Sequence, residues 1–297
     1  MLIGFKTSPQ EVDWATLDAT WATAGELGTF DSAWMNDHLG HPGQDRYGQS
    51  FECFTVLTAL AHRVPGLWLG HSVLSNTFRH PAVLAKQATA MDHITGGRFI
   101  LGLGAGWHEW EHVAFGLGFP PIGERIDRLG SAARIIKALG SDEARQPPGV
   151  DLDAPPWALR GATNEPGPIT PGGPPLWLGG QKPRGLELAA RHADGWNYPA
   201  SSVPASHDGS FDEFLSRRDA LYRACERIGR DPATLTISVQ LRGGDDAAGR
   251  RAAVEQSLGY GRESCAHLIL TMPASLGPEG LRALAAEVVQ PIRDAIA

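Results

Sequence analysis

Short apolar runs, each followed by a stretch with helical periodicity, recur eight times along this chain, and that rhythm restricts its fold more than any single residue does. The pattern is clearest between Leu67 and Gly116. Leu67–Leu74 is almost free of polar interruption, as a strand buried on both faces must be. Pro81 suits a first helical turn, and Ala82, Ala85, Ala88 and Met91 follow at roughly helical spacing. Gly96-Gly97 stops that helix, and Phe99–Leu103 begins the next buried strand. A strand–helix–strand with a connection of this length makes the two strands parallel.

The same alternation predicts strands at Leu2–Thr7, Ser32–Asp37, Pro175–Gly179, Gly195–Tyr198, Leu235–Leu241 and Ala266–Met272. Helices are predicted at Asp13–Leu27, Phe51–His62, Pro81–His93, Glu124–Leu139, Pro183–His192, Phe211–Ile228, Ala247–Leu258 and Pro278–Ile296, with Asp13 as an N-cap. A polar loop follows the sixth strand through Asp208. Gly140–Pro174, rich in Pro and Gly and without a clear period, reads as a long lid-like excursion with no hairpin pattern. Eight such pairs predict a (β/α)8 TIM barrel, one domain over residues 1–297 with an insertion at 140–174. The rival, a doubly wound sheet, would carry a dinucleotide fingerprint after its first strand, where this chain has Lys6-Thr-Ser-Pro-Gln.

Composition narrows the function. A net charge of −7 argues against a nucleic-acid footprint or a membrane-binding basic face. No apolar run approaches the roughly 20 residues needed to cross a bilayer. Strand-like residues begin at Leu2, so no signal peptide is expected. Cys53, Cys225 and Cys265 are far apart and odd in number, so free thiols in a reducing cytoplasm are expected.

In a barrel of this kind ligands gather at the carboxyl ends of the strands. Those ends carry Asp37-His38, Ser72–Asn76, Gly104–Trp107, Gly179–Lys182 and Tyr198. A histidine titrates at about pH 6.5, so His38 can give or take a proton at working pH. Trp107, directly past the strand-four glycines, joins it as a candidate at the reacting centre. Gly102-Leu-Gly104-Ala-Gly106 fails as a dinucleotide fingerprint because Trp107 stands where the third glycine belongs. Its glycines read instead as a place where a flat ligand approaches the backbone. Gly179-Gly180-Gln181 precedes a helix whose free amides could hold a phosphate, with Lys182 and Arg184 adding positive charge. His108-Glu-Trp-Glu-His112 matches H-E-x-x-H, which requires both histidines on one face of a packed helix. Gly116 and Gly118 soon break that segment, so a zinc hydrolase is a remote alternative and no metal is expected. G-x-S-x-G, Walker and Cys-x-x-Cys motifs are absent.

Several of these segments together carry a resemblance. WMNDH at Trp34–His38, SVLSNTFR at Ser72–Arg79 with Pro81, and GLGAGW…EH…AFG at Gly102–Gly116 are similar to the bacterial luciferase-like monooxygenase superfamily. So are PPIGERIDRL at Pro120–Leu129, PPLWLGG ending at Gly180 and ADGWN at Ala193–Asn197. The closest likeness is to its branch that uses the deazaflavin coenzyme F420. The resemblance implies a barrel holding F420, or alternatively FMN, over its carboxyl face. It also implies a non-proline cis peptide at Ser72-Val73 behind the ring. Asp37 and His38 match an Asp-His pair near ring and substrate, Ser75 a hydroxyl residue facing the cofactor, and Gly179 and Gly180 a phosphate-binding turn. With Gly104, Gly106 and Gln181 these make the expected cofactor site. Some sugar-phosphate dehydrogenases of the branch carry Glu where this chain has Trp107, so their acid partner is expected to be missing. The activity implied is hydride transfer between F420 and a small organic substrate, with an FMN-dependent monooxygenase as the alternative. A homodimer is the expected assembly.

Overall fold

The structure, a computed structural model, describes residues 1–42, 47–200 and 209–296. The chain lays down β1 (Leu2–Thr7), β2 (Ser32–Met35), β3 (Trp68–His71) with its continuation β4 (Leu74–Ser75), and β5 (Phe99–Gly104). After a hairpin, β6 (Val150–Ala154) and β7 (Trp157–Ala162), come β8 (Leu176–Gly179), β9 (Gly195–Pro199), β10 (Thr236–Arg242) and β11 (His267–Thr271). Pairing runs β3-β2-β1-β11-β10-β9-β8-β5-β4, and β3 also bonds β5, which closes the ring. Every barrel pairing is parallel, with β3 and β4 forming one stave of eight. This is the (β/α)8 barrel that the rhythm predicts.

Helices α1 (Trp14–Leu27), α2 (Cys53–Leu60) and α3 (Pro81–Thr95) lie between the first strands. The Asp13 carboxylate accepts from the Thr16 amide at the start of α1, and Gly28 ends it in the left-handed region. After β5 come a short α4 (Glu109–Ala114), which the breaking glycines had argued against, and then α5 (Ile122–Gly140). Helices α6 (Pro183–His192), α7 (Phe211–Arg227) and α8 (Ala247–Arg262) follow the later strands. The chain ends in α9 (Gly277–Leu284) and α10 (Gln290–Ile296), joined by a π turn over Ala285–Val289. Residues 201–208 of the loop expected through Asp208 lie outside the described residues.

The excursion at 140–174 differs from expectation. It holds the antiparallel β6–β7 hairpin, in which Ala154 faces Trp157 across Pro155-Pro156. Val150 and Ala154 are buried while Asp151 and Asp153 are exposed, a period of two that the surrounding Pro and Gly had masked.

Two tryptophans close the middle of the barrel. Trp34 and Trp177 stack with centroids 5.2 Å apart and planes inclined by 27°, packed with Ile100 and Ile269. Their bulk requires glycine opposite. A Cβ on Gly70 would lie 2.4 Å from the Trp34 ring, and one on Gly195 2.5 Å from Trp177 Nε1. The two rings thus fill the barrel interior at this level, below the strand carboxyl ends where ligands gather in such barrels.

Candidate active site

A polar layer sits toward the carboxyl ends. Lys6 Nζ of β1 donates to the Ser72 carbonyl and to Gln240 Oε1 of β10, both at 2.9 Å. Ser72 Oγ donates to the same Gln240 oxygen at 2.7 Å, and Asn197 Nδ2 of β9 donates to Ser238 Oγ at 2.8 Å. Burial pushes the Lys6 ammonium down from 10.5 to about 7. Ser72 Oγ also lies 3.3 Å from Asn197 Oδ1, so β1, β9 and β10 converge on one peptide, Ser72-Val73, which is cis.

That peptide lies in a bulge. Gly70 pairs with Ile100 and Leu74 with Leu103, so β3–β4 advances four residues while β5 advances three. Val73 fills the space that glycines leave. A Cβ on Gly104 would sit 2.8 Å from Val73 Cγ2, and one on Gly179 would sit 3.3 Å from it. At Gly102 a Cβ would lie 1.9 Å from the His71 carbonyl oxygen. These glycines make room for the protein's own Val73 and His71; the sequence had read Gly102 and Gly104 as an approach for a flat ligand and Gly179 as part of a phosphate-binding turn. Gly106 is bare for a further reason. Its φ is +77°, and a Cβ there would meet the hydroxyls of Thr77 and Ser75 at 2.6 and 2.8 Å.

Asp37 and His38, adjacent past the end of β2, point to different partners. Asp37 is buried, and it accepts from Arg79 at 2.6 and 3.0 Å and from the Ser75 amide at 2.8 Å. Cys53 Sγ also donates to it at 3.0 Å. Burial works against the Arg79 cation, but the bonds and charge of Asp37 outweigh it and hold the guanidinium above its ordinary value. Arg79 also meets Glu52, the side-chain cap of α2. Asp37 thus ties the β2 exit to the bulge and to α2.

His38 turns the other way. Its Nδ1 lies 2.9 Å from Glu111 Oε2, and His108 Nδ1 lies 3.1 Å from the same oxygen. Glu111 Oε1 accepts from the amides of Leu39 and Gly40 at 2.6 and 3.2 Å. Burial would raise the Glu111 carboxyl, yet His38 and those two amides hold it below its usual range. Trp107, half exposed, stands edge-on to His38 with centroids 5.8 Å apart. Trp107 stands where some sugar-phosphate dehydrogenases of the branch carry Glu; in this chain the carboxylate against His38 is that of Glu111, four residues on, brought into place by the short helix α4.

The H-E-x-x-H reading is overturned. His112 Nδ1 donates to the His108 carbonyl at 2.9 Å, and its Nε2 meets Thr77 Oγ1 at 2.5 Å, which itself meets Ser75 Oγ at 2.7 Å. Its two ring nitrogens are spent on the fold, and His108 faces Glu111. A zinc hydrolase on His108 and His112 has no geometry here.

Gly179, Gly180 and Gln181 form the turn into α6, whose N-cap residue Lys182 makes no capping side-chain bond. Gly180 takes φ +130°, and its carbonyl accepts from Trp196 Nε1 at 2.7 Å. Arg184 is paired with Asp127. Near Ser75, Asn76 is 3% exposed, and neither atom of its amide has a partner among the described residues. Contacts among Asp37, His38, Ser72, Val73, Ser75, Gly104, Gly106, Trp107 and Gly179 gather them at one barrel end. Sequence reasoning passed over Glu111, Lys6 and Gln240. Glu111 lay in plain view in the Glu-His pair of the strand-four motif; Lys6 and Gln240 carried no local signal.

Comparison with known proteins agrees with this architecture. The profile of the family described as luciferase-like monooxygenase matches residues 7–268. The chain belongs to that family. Among the relatives of this luciferase-like chain is the F420-dependent glucose-6-phosphate dehydrogenase of Microbacterium testaceum (strain StLB037). It is 31% identical over 216 residues, covering 69% of this chain and 61% of the relative. The aligned stretch spans about three-fifths of the length of the curated relatives it matches. An F420-dependent secondary alcohol dehydrogenase in complex with an F420-acetone adduct superposes with a TM-score of 0.78. It is 17% identical, with 99% of both chains covered. A riboflavin lyase with modified FMN and riboflavin superposes at 0.75 with 13% identity, covering 99% of this chain and 92% of that one. At such identities these two likenesses speak for the fold alone. Among the described residues, no helix is long and apolar enough to cross a membrane.

Proposed function

We propose that this luciferase-like protein is an oxidoreductase that transfers a hydride between coenzyme F420 and a small organic substrate, with His38 handling the accompanying proton. The observation that carries the proposal is the His38–Glu111 contact past the carboxyl ends of the barrel strands, at the same end as the Ser72-Val73 bulge. The relative named an F420-dependent dehydrogenase supports the choice of cofactor. The residues present suit such a group. Val73, backed by Gly104 and Gly179, offers an apolar wall, and the buried orphan amide of Asn76 has bonds to give. The α6 amino end at Gly179, Gly180 and Gln181 would take the phosphate.

Bound F420 would supply the redox chemistry, while the chain supplies orientation and protons. Glu111 accepts at Nδ1 of His38 and so leaves Nε2 free to give or take a proton. Lys6 and Gln240 hold the Ser72 peptide from below, and Asp37 with Arg79 holds the strand end that carries His38. Trp107, edge-on to His38, would border the bound substrate. The three buried free cysteines support a cytoplasmic location. Exposed Val113, Phe115 and Ile122 support burial of that face in a homodimer.

The test is thermal melting of the purified chain with each cofactor. F420 at 100 times its Kd should stabilise by about 2.7 kcal/mol, since it binds only the native state. A shift with FMN and none with F420 would replace this reading with the monooxygenase, and a shift with neither would end it.

A further inference from the structure

The fold gives His108 a different neighbour from the one its motif offers. His108 is the N-cap residue of α4, but its side chain makes no capping bond. Its Nδ1 turns instead to Glu111, three residues on, and lies 3.1 Å from Oε2. His38 Nδ1, from the exit of β2, lies 2.9 Å from the same oxygen. The three donor atoms all fall within 4.8 Å of one another. Two imidazoles and one carboxylate are a ligand set that holds a metal ion and keeps a fourth position open, and neighbouring ligand atoms about 3.3 Å apart suit a tetrahedron with bonds of about 2.0–2.1 Å. The other carboxylate oxygen, Oε1, is held by the Leu39 and Gly40 amides at 2.6 and 3.2 Å, the outer support that fixes a ligating carboxylate. The Glu111 side chain is 1% exposed and those of His38 and His108 are 12% and 18% exposed, so the anchor is buried while both rings reach the surface. A second group of such residues, Asp37, Glu52 and Cys53, already has its cation in the guanidinium of Arg79.

We infer that His38, His108 and Glu111 form a binding site for a divalent metal ion of the zinc class, held through the two Nδ1 atoms and Glu111 Oε2. The ion takes the place of the ring protons that face Oε2 in the metal-free protein. Mg²⁺ and Ca²⁺, which favour oxygen ligands, are poorly served by two ring nitrogens. The site is distinct from the H-E-x-x-H reading, because His38 stands where that motif would put His112. The consequence for turnover rests on the role proposed above for His38. With the metal on Nδ1, Nε2 carries the ring's one proton and cannot accept another, so the loaded protein is held from turnover. Metal binding itself belongs to the chain alone and needs no cofactor.

The experiment is a titration of the purified, cofactor-free chain with Zn²⁺ against a chelating dye, beside NMR spectra of the histidine 13Cε1 signals. The wild type should bind one equivalent, and the signals of His38 and His108 should both move. His108→Phe and His108→Gln, each checked for folding by its amide spectrum, should weaken binding at least about 100-fold, since losing a ligand costs more than the roughly 10–100-fold loss of an outer partner. His62→Gln, at an exposed histidine, should leave the affinity unchanged. The same concentration of Mg²⁺ should move neither signal. A wild type that forms no stoichiometric Zn²⁺ complex would overturn the inference. So would binding that persists in both His108 variants, or that shifts only other histidines, because the ion would then sit elsewhere on the surface. None of these readouts needs F420, so a failure of F420 to raise the melting temperature would overturn the proposed function and leave the metal site standing.

Discussion

His38 Nδ1 and Glu111 Oε2 are 2.9 Å apart across 73 residues of chain, one at the exit of β2 and the other in the helix after β5. The contact fixes which nitrogen of His38 faces outward. His38→Ala should leave the cofactor-induced rise in melting temperature in place but cut turnover roughly 10²–10⁴-fold. Glu111→Gln should keep the ring of His38 but weaken the contact that orients it, lowering turnover less than His38→Ala does. Unchanged turnover in the first variant would remove His38 from the reaction.

Arg79 neutralises the buried Asp37 carboxylate, so removing one partner strands the other. Arg79→Met should destabilise the protein by about 3–5 kcal/mol in urea melts. Replacing both, Asp37→Asn with Arg79→Met, should cost less than the two single changes added together. Strict additivity would mean that the pair is solvated and structurally idle.

Lys6 has a folded-state value of about 7 against 10.5 in the open chain. Between those values the unfolded chain binds the proton that the folded chain has lost, so stability rises with pH through this window and is lost as pH falls toward 7. Urea melts at pH 7 and pH 9.5 should show a gain in the wild type that Lys6→Met lacks. A slope equal in both proteins would show that Lys6 stays charged inside the barrel.

His71 is fully buried and stacked on Phe54, neither ring nitrogen has a hydrogen-bond partner among the described residues, and burial pushes it down from 6.5 to about 3. The sign matches that of Lys6, in a lower window. The neutral ring favours the fold above pH 6.5, and that advantage drains away as pH falls toward 3. At pH 5 the wild type should have lost about 2 kcal/mol of it. His71→Phe should therefore lose less stability than the wild type between pH 7 and pH 5. Equal losses would show that His71 already carries its proton when folded.

Much of this molecule is local in origin. The strand and helix pattern that yields the barrel depends on apolar runs, on Pro81 and Pro183 at first helical turns, and on Gly28 and Gly96 past helix ends, each legible within a few residues. The family motifs likewise placed His38, Ser72-Val73 and Trp107 at one end of the barrel. The β6–β7 hairpin escaped because its two-residue period was short and set among prolines, and α4 because glycines follow it so closely. What no stretch of sequence could supply was the pairing of distant groups. Glu111 reaches His38, Lys6 reaches Gln240, and Val73 takes the space left by Gly104 and Gly179. Closure of the ring brings strands far apart in the chain within bonding distance, and burial then decides which charges persist there. Neither effect is a property of neighbouring residues, so the partners of His38 and the state of Lys6 belong to the folded barrel.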